Sequence, residues 1–158
     1  MPGTDDATTY KVERSATIAA APAVVYGLLV DFHRWPEWSP WEEIDPNMTR
    51  TYSGPESGLG ATYAWQGNRK AGEGRMEIIE ADEPDGLTIK LDFLKPFKAQ
   101  NTTRFALAAS GDGTEVTWTM VGAKTLMTKV MGLVKSMDKM IGPDFEKGLA
   151  KLKRATEA

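Results

Sequence analysis

His33 is the only histidine in the chain, two residues after Asp31 and six before Ser39. These are the residue types of a Ser-His-acid relay, in which imidazole takes the serine proton and the carboxylate orients the imidazole. Nearness in sequence is not relay geometry, however. A histidine on a short surface helix or at the mouth of a site is the simpler reading. No G-x-S-x-G elbow, P-loop or dinucleotide fingerprint is present, and Gly54, Gly58, Gly60 and Gly67 are spaced like turn residues. With no cysteine there is no thiolate chemistry and no disulfide, and a zinc site would have to be almost wholly carboxylate. We therefore expect no metal and no other cofactor.

Glu73 and Glu77 share a strand face, but their parity is opposite to Met76 and Ile78, so that pair belongs in water. Asn101 and Thr103 share parity with Phe105, and Tyr63 carries a phenol. Such groups can hold a carbonyl or assist enolisation and water loss. Arg75 and Arg104 have outward parity, and a β-bulge that flipped parity locally could turn Arg75 or Glu77 inward.

The segment DFHRWPEWSPW, residues 31–41, holds Trp35, Trp38 and Trp41 in a proline-broken stretch. Indoles seek burial, and either core aromatics or a ligand can provide it. Trp35 is expected under a second short helix. Trp38 and Trp41, after the break at Pro36, are expected to close the end of a sheet near a cavity mouth. Pro36 and Pro40 favour a fixed wall over a mobile lid.

The surrounding elements follow from periodicity. Residues 9–20 alternate, with Tyr10, Val12, Ala16 and Ile18 on one face, which predicts a half-buried strand. Pro22 suits the first turn of a short helix that runs to about Asp31. Asp31 can cap a further turn, which Pro36 is expected to stop. From 48 to 121 the period is two, with turns at Gly54-Pro55, Asn68, Asp85-Gly86, Lys95-Pro96 and Gly111-Asp112-Gly113. That predicts an antiparallel meander with one wet face. Near the C-terminus, Leu126, Val130, Val134, Met137, Ile141, Phe145, Leu149 and Leu152 recur at helical spacing. Gly142-Pro143 predicts a kink there, or two abutting helices. The order is strand, short helices, strands, long helix: an α+β domain over residues 9–157 after a disordered tail, 1–8.

A curved sheet touches a single covering helix along a line, so the flanks of its concave face stand away from it. The inward residues are large: Tyr63, Trp65, Met76, Ile78, Ile89, Leu91, Phe93, Phe105, Leu107, Trp118 and Met120, with Met127, Met131, Met137 and Met140 on the helix side. They can form plain core or, with Trp38, Trp41, Asn101 and Thr103, line an apolar pocket. Methionine suits a surface that must fit variable shapes.

Composition fixes the rest. At 158 residues, 26% charged and net charge −3, this is the range of one globular domain, with no electrostatic footprint for nucleic acid or anionic membrane. No apolar run reaches bilayer length, and the acidic start, MPGTDDATTY, is unlike a signal peptide. We expect a cytoplasmic protein with no stable membrane insertion, monomeric or weakly dimeric.

Three stretches, RWPEWSPW, FLKPFKAQNTTRFAL…GDGTEVTWTM and MDKMIGPDFEKGLAKLK, resemble the START-like, helix-grip (SRPBCC) superfamily. The resemblance is to its polyketide cyclase/dehydrase and lipid-transport branch, from about residue 9 to 157. It implies a seven-stranded antiparallel sheet gripping the C-terminal helix, two small helices after strand one, and a deep cavity for an apolar or aromatic small molecule. It implies no activity, because the superfamily shares no catalytic constellation. Three readings stand open: a carrier of a hydrophobic ligand, lipid or polyketide-like; a cofactor-free cyclase or dehydratase acting by positioning; and an interaction protein with a filled core.

Overall fold

In the computed structural model, seven strands form one antiparallel sheet ordered β1-β7-β6-β5-β4-β3-β2. The strands are β1 (Thr9–Ile18), β2 (Thr49–Ser53), β3 (Thr62–Gln66), β4 (Glu73–Asp82), β5 (Gly86–Lys95), β6 (Ala99–Ser110) and β7 (Gly113–Ala123). Helix α1 (Pro22–Val30) and a 3-10 helix (Phe32–Glu37) follow β1, and α2 (Leu133–Glu157) ends the chain. The structure describes residues 9–41, 47–68, 72–95, 98–123 and 133–157, with the backbone alone at 123, 133–138 and 140. The expected tail, Leu126, Met127, Val130 and Met131, and the side chains of Val134, Met137 and Met140, lie outside these.

Strands two to seven form a meander, each pairing antiparallel with the next in sequence. β1 closes the order by pairing with β7, from Thr9 opposite Ala123 to Ile18 opposite Thr114. The helix α2 packs chiefly on β1. Phe145, Leu149 and Leu152 are its fully buried anchors, and Ile141 is half-buried. The concave face of the central strands therefore lies to one side of the helix line.

Two expectations are corrected. Pro143 lies inside one continuous α2, so of the two outcomes expected there, a kink or two abutting helices, the second does not occur. Twenty-five residues of helix, held by apolar side chains beyond the proline, outweigh the loss of one backbone donor. Pro36 lies inside the 3-10 helix and does not stop it. The Asp31 side chain caps its start by accepting from His33 N at 2.9 Å, and Trp38 N closes its end by donating to Trp35 O at 3.0 Å.

Every side chain of α1 is apolar, tyrosine or absent, and Val25, Tyr26, Leu28 and Leu29 are buried. The last carbonyls of a helix have no partner within it. Here Trp35 Nε1 donates to Leu29 O and Trp38 Nε1 to Leu28 O, each at 3.0 Å. The two indoles thus complete the end of α1 while filling the core.

Candidate functional site

Register aligns the inward side chains in rows across the sheet. One row crosses all seven strands: Tyr10, Gly122, Asn101, Leu91, Met76, Tyr63, Tyr52. The next holds Val12, Met120, Thr103, Ile89 and Ile78. A third holds Arg14, Trp118, Phe105, Leu87 and Ala81. Rows lie about 7 Å apart along the strands.

The third row is filled by the chain's own rings. Trp118 stacks on Phe145 with centroids 4.0 Å apart and planes 8° apart, and Phe105 lies 4.9 Å away on β6. Trp38 meets Trp118 and Phe105 edge-on at 5.5 and 5.8 Å, and Trp41 meets Trp118 at 5.6 Å. Trp38 is wholly buried and Trp41 half-buried.

The first row and its neighbours on either side, through Thr103 and through Trp65, Gly74 and Phe93, differ. Asn101 and Thr103 are buried, and Thr103 Oγ1 donates to Asn101 Oδ1 at 3.3 Å. Tyr10 reaches Asn101 from β1 by a side-chain hydrogen bond. Its ring crosses Gly122, where an added Cβ would lie 2.5 Å from the phenol oxygen. Burial pushes the Tyr10 phenol up from its ordinary value, and the bond to Asn101 opposes that shift. Leu91, Phe93, Trp65 and Tyr52 are only half-buried. Trp65 lies over Gly74, where an added Cβ would meet its ring at 2.5 Å, and sits edge-on to Phe93 at 5.8 Å. Tyr63, Met76, Ile78, Ile89 and Met120 are buried beneath.

Sequence parity thus brings Asn101 and Thr103 together, but it omitted two inward groups. Tyr10 sits on the face already read as apolar, yet its hydroxyl completes the polar set. Arg14 has the same parity and was passed over. It lies beneath Gly142 of α2, and its Nε donates to Glu146 Oε2 at 2.8 Å. Alternation at Tyr10, Val12 and Arg14 was the available signal for both.

The other candidates stand apart. His33 Nδ1 lies 2.9 Å from Asp31 Oδ1, and its ring stacks on Tyr52 at 4.1 Å. Ser39 is buried, and its hydroxyl accepts from Trp41 N at 3.3 Å. Glu73 pairs with Lys95 and Glu77 with Arg75 on the outer face, at 3.9 and 4.0 Å. A bulge does occur in β4, between Ile78 and Glu80, and Arg75 keeps its outward side. Arg104 donates to Thr88 Oγ1 at 2.7 Å. An open groove of about 560 Å³, lined by Arg75, Asp92, Leu94, Lys98 and Gln100 among others, lies at the strand ends. Phe93 and Ala99 also line it, so the groove adjoins the inward face at Phe93. Among the described residues no three metal-ligating side chains cluster, and no helix is long and apolar enough to cross a membrane.

A curved antiparallel sheet with a helix along one flank and two short helices after strand one defines the helix-grip class of fold. The chain belongs to the family described as polyketide cyclase/dehydrase and lipid transport, which it matches over residues 9–157. Among solved structures it is similar to protein CV1439 from Chromobacterium violaceum, with TM-score 0.68 and 12% identity, covering 94% of this chain and 98% of that one. It is also similar to the di-domain ARO/CYC BexL of the BE-7585A biosynthetic pathway, with TM-score 0.69 and 16% identity, covering 98% of this chain and 52% of that one. A third is the Aha1 dimer from Colwellia psychrerythraea, with TM-score 0.61 and 17% identity, covering 93% and 96%. The chain thus spans about half of BexL. At these identities the likeness is one of fold. No curated protein matches the sequence.

Proposed function

We propose that this domain binds a hydrophobic or aromatic small molecule against the concave face, at the Gly122 end. The observation that carries the reading is the contrast between rows. The third is closed by protein rings, while the first presents half-buried Leu91 and Tyr52 beside Tyr10 and Asn101, flanked by half-buried Trp65 and Phe93 of the row beyond it and by Thr103 of the second row. An apolar wall with a few convergent polar groups is the usual make-up of a small-molecule site. The remaining lining is Tyr63, Met76, Ile78, Ile89 and Met120, with Met127 and Met131 expected from the helix side. The protein is proposed to work in the cytoplasm as a monomer or weak dimer.

Native mass spectrometry of gently purified protein tests this by seeking a co-purified small molecule. A panel of lipids and aromatic compounds gives the converse test. A ligand at about 100 times its Kd stabilises by about 2.7 kcal/mol, so a panel that never moves Tm sinks the reading.

A second reading rests on the Tyr10–Asn101–Thr103 set. A folded polyketone held there can cyclise by carbon–carbon bond formation and then lose water, with the phenol hydrogen-bonded to the carbonyl that enolises. Orientation alone can supply much of such an acceleration. Its test is turnover of a synthetic polyketone, compared between wild type and Tyr10→Phe. Equal rates in the two proteins would remove the phenol from the chemistry.

A further inference from the structure

The pairing of β4 with β5 is interrupted near its open end. Gly74 faces Phe93 and Glu73 faces Lys95, so Leu94 is the extra residue of a β-bulge in β5. Leu94 is 42% exposed. The open groove of about 560 Å³ lies at this bulge, on the outer face of the sheet, and reaches the inner face only at Phe93 and Ala99.

One outward row enters the groove. Register sets Asp92 between Arg75 on β4 and Gln100 on β6, and all three line the groove together with Lys98. Side chains directly opposite on neighbouring strands stand about 5 Å apart at Cβ, near enough for Arg75 to pair with Asp92. Arg75 pairs along its own strand instead, with Glu77 at 4.0 Å. Among the described residues Asp92 Oδ1 has no hydrogen-bond partner, although it is shut off from water. A carboxylate oxygen in that state is unfavourable and makes no bond that holds the fold. The terminal torsion of an aspartate is soft, so this oxygen can turn toward the groove when a donor arrives there.

The charges around the groove select its occupant. Arg75 and Lys98 repel a simple cation, and Asp92 repels a simple anion. A small molecule that carries an ammonium beside a carboxylate satisfies all three, and its charged hydrogen bonds are of the stronger kind. We propose that this groove binds a free α-amino acid with an aliphatic side chain. Its ammonium donates to Asp92, Arg75 and Lys98 donate to its carboxylate, and its side chain covers Leu94. This outer site is independent of the concave one, and neither reading falls with the other.

The test uses L-leucine and two truncated forms of it: 4-methylpentanoate, which lacks the ammonium, and 3-methylbutylamine, which lacks the carboxylate. Assigned amide resonances of the full chain are followed during each titration. L-leucine should shift Asp92, Leu94 and Gln100 together and to saturation, while Tyr63 and Ile78 of the inner face stay still. Its affinity should exceed that of either truncated form by about ten-fold or more, the range of one hydrogen bond to a charged group. Asp92→Asn keeps the shape of the side chain and removes its charge. It should bind L-leucine about ten-fold more weakly or worse, with a Tm no lower than that of wild type. Lys98→Ala, at an exposed position, should weaken L-leucine and spare 3-methylbutylamine. Four outcomes each overturn the proposal: L-leucine that moves none of the groove resonances up to its solubility, a truncated form that binds as well, L-leucine binding unchanged in Asp92→Asn, or a clear fall in the Tm of that variant, which would give the carboxylate a structural role.

Discussion

Two glycines of α2 should respond to the same substitution in opposite directions. Replacing glycine by alanine inside a helix gains about 1 kcal/mol of backbone propensity. At Gly142 the three atoms nearest the new methyl all belong to the guanidinium end of the Arg14 side chain. That side chain is 26% exposed, and its partner Glu146 is 62% exposed. It can swing outward, and giving up such an exposed pair costs about 1 kcal/mol or less. Gly142→Ala should therefore be neutral or stabilise by up to about 1 kcal/mol. At Gly148 the methyl would lie 2.8 Å from Trp118 Cζ3 and 3.0 Å from Pro40 Cδ. Neither can yield, since the indole is clamped between Phe145 and Phe105 and the other neighbour is a rigid ring. Overpacking of this kind costs about 1–3 kcal/mol, which meets or exceeds the propensity gain. The two variants should differ by about 2 kcal/mol, or roughly 4–8 °C in Tm for a domain of this size. Urea unfolding checks it through the midpoints at unchanged m. If Gly148→Ala is as stable as Gly142→Ala, the packing argument for the whole third row is refuted.

Phe145→Ala should cost about 3–5 kcal/mol by denaturant unfolding, because it empties the ring position between α2 and Trp118. Benzene or indole in the buffer should restore part of that loss. Tyr10, whose phenol is held above its ordinary value, keeps its proton in the folded state at pH values where the unfolded chain releases it. Stability should therefore fall as pH rises above about 10 through the folded pKa, and fall less in Tyr10→Phe. Unfolding followed from pH 8 to 11 reads this. Glu157 has the opposite sign. Ala19 N donates to its carboxylate at 2.7 Å, and this bond, with Lys153 at 3.3 Å, holds it below the ordinary value of 4.5. Its contribution is present above pH 4.5 and should vanish as pH falls through the lowered value. A carbon-detected titration of the Glu157 carboxyl, compared with unfolding of Glu157→Gln, checks it.

Strand parity was the most legible feature of the sequence, since a period of two assigns a face without knowledge of partners. It placed Trp65, Leu91, Asn101 and Trp118 on one side, and the register agrees. The expectation of two abutting helices at Pro143 fails, because it weighed local chemistry alone, while α2 runs on through the proline to its buried anchors Phe145, Leu149 and Leu152. Tyr10 and Arg14 were missed for a related reason. An apolar label on a face hides its polar members, and only the register shows Tyr10 meeting Gly122 and Asn101. The indole caps on α1 were beyond reach, since no periodicity links a tryptophan to a carbonyl six or ten residues back.

The pairing of the first strand with the last carries a cost during synthesis. Thr9–Ile18 must wait for Thr114–Ala123 before any rung between them can form. On the ribosome the inner face of the meander is therefore made before either β1 or α2 can shield it. Such long-range closure is slow and leaves greasy rings accessible meanwhile. A nascent chain of this kind would be a natural client for a holding chaperone, and a cognate small molecule that seats early would shorten the exposed interval.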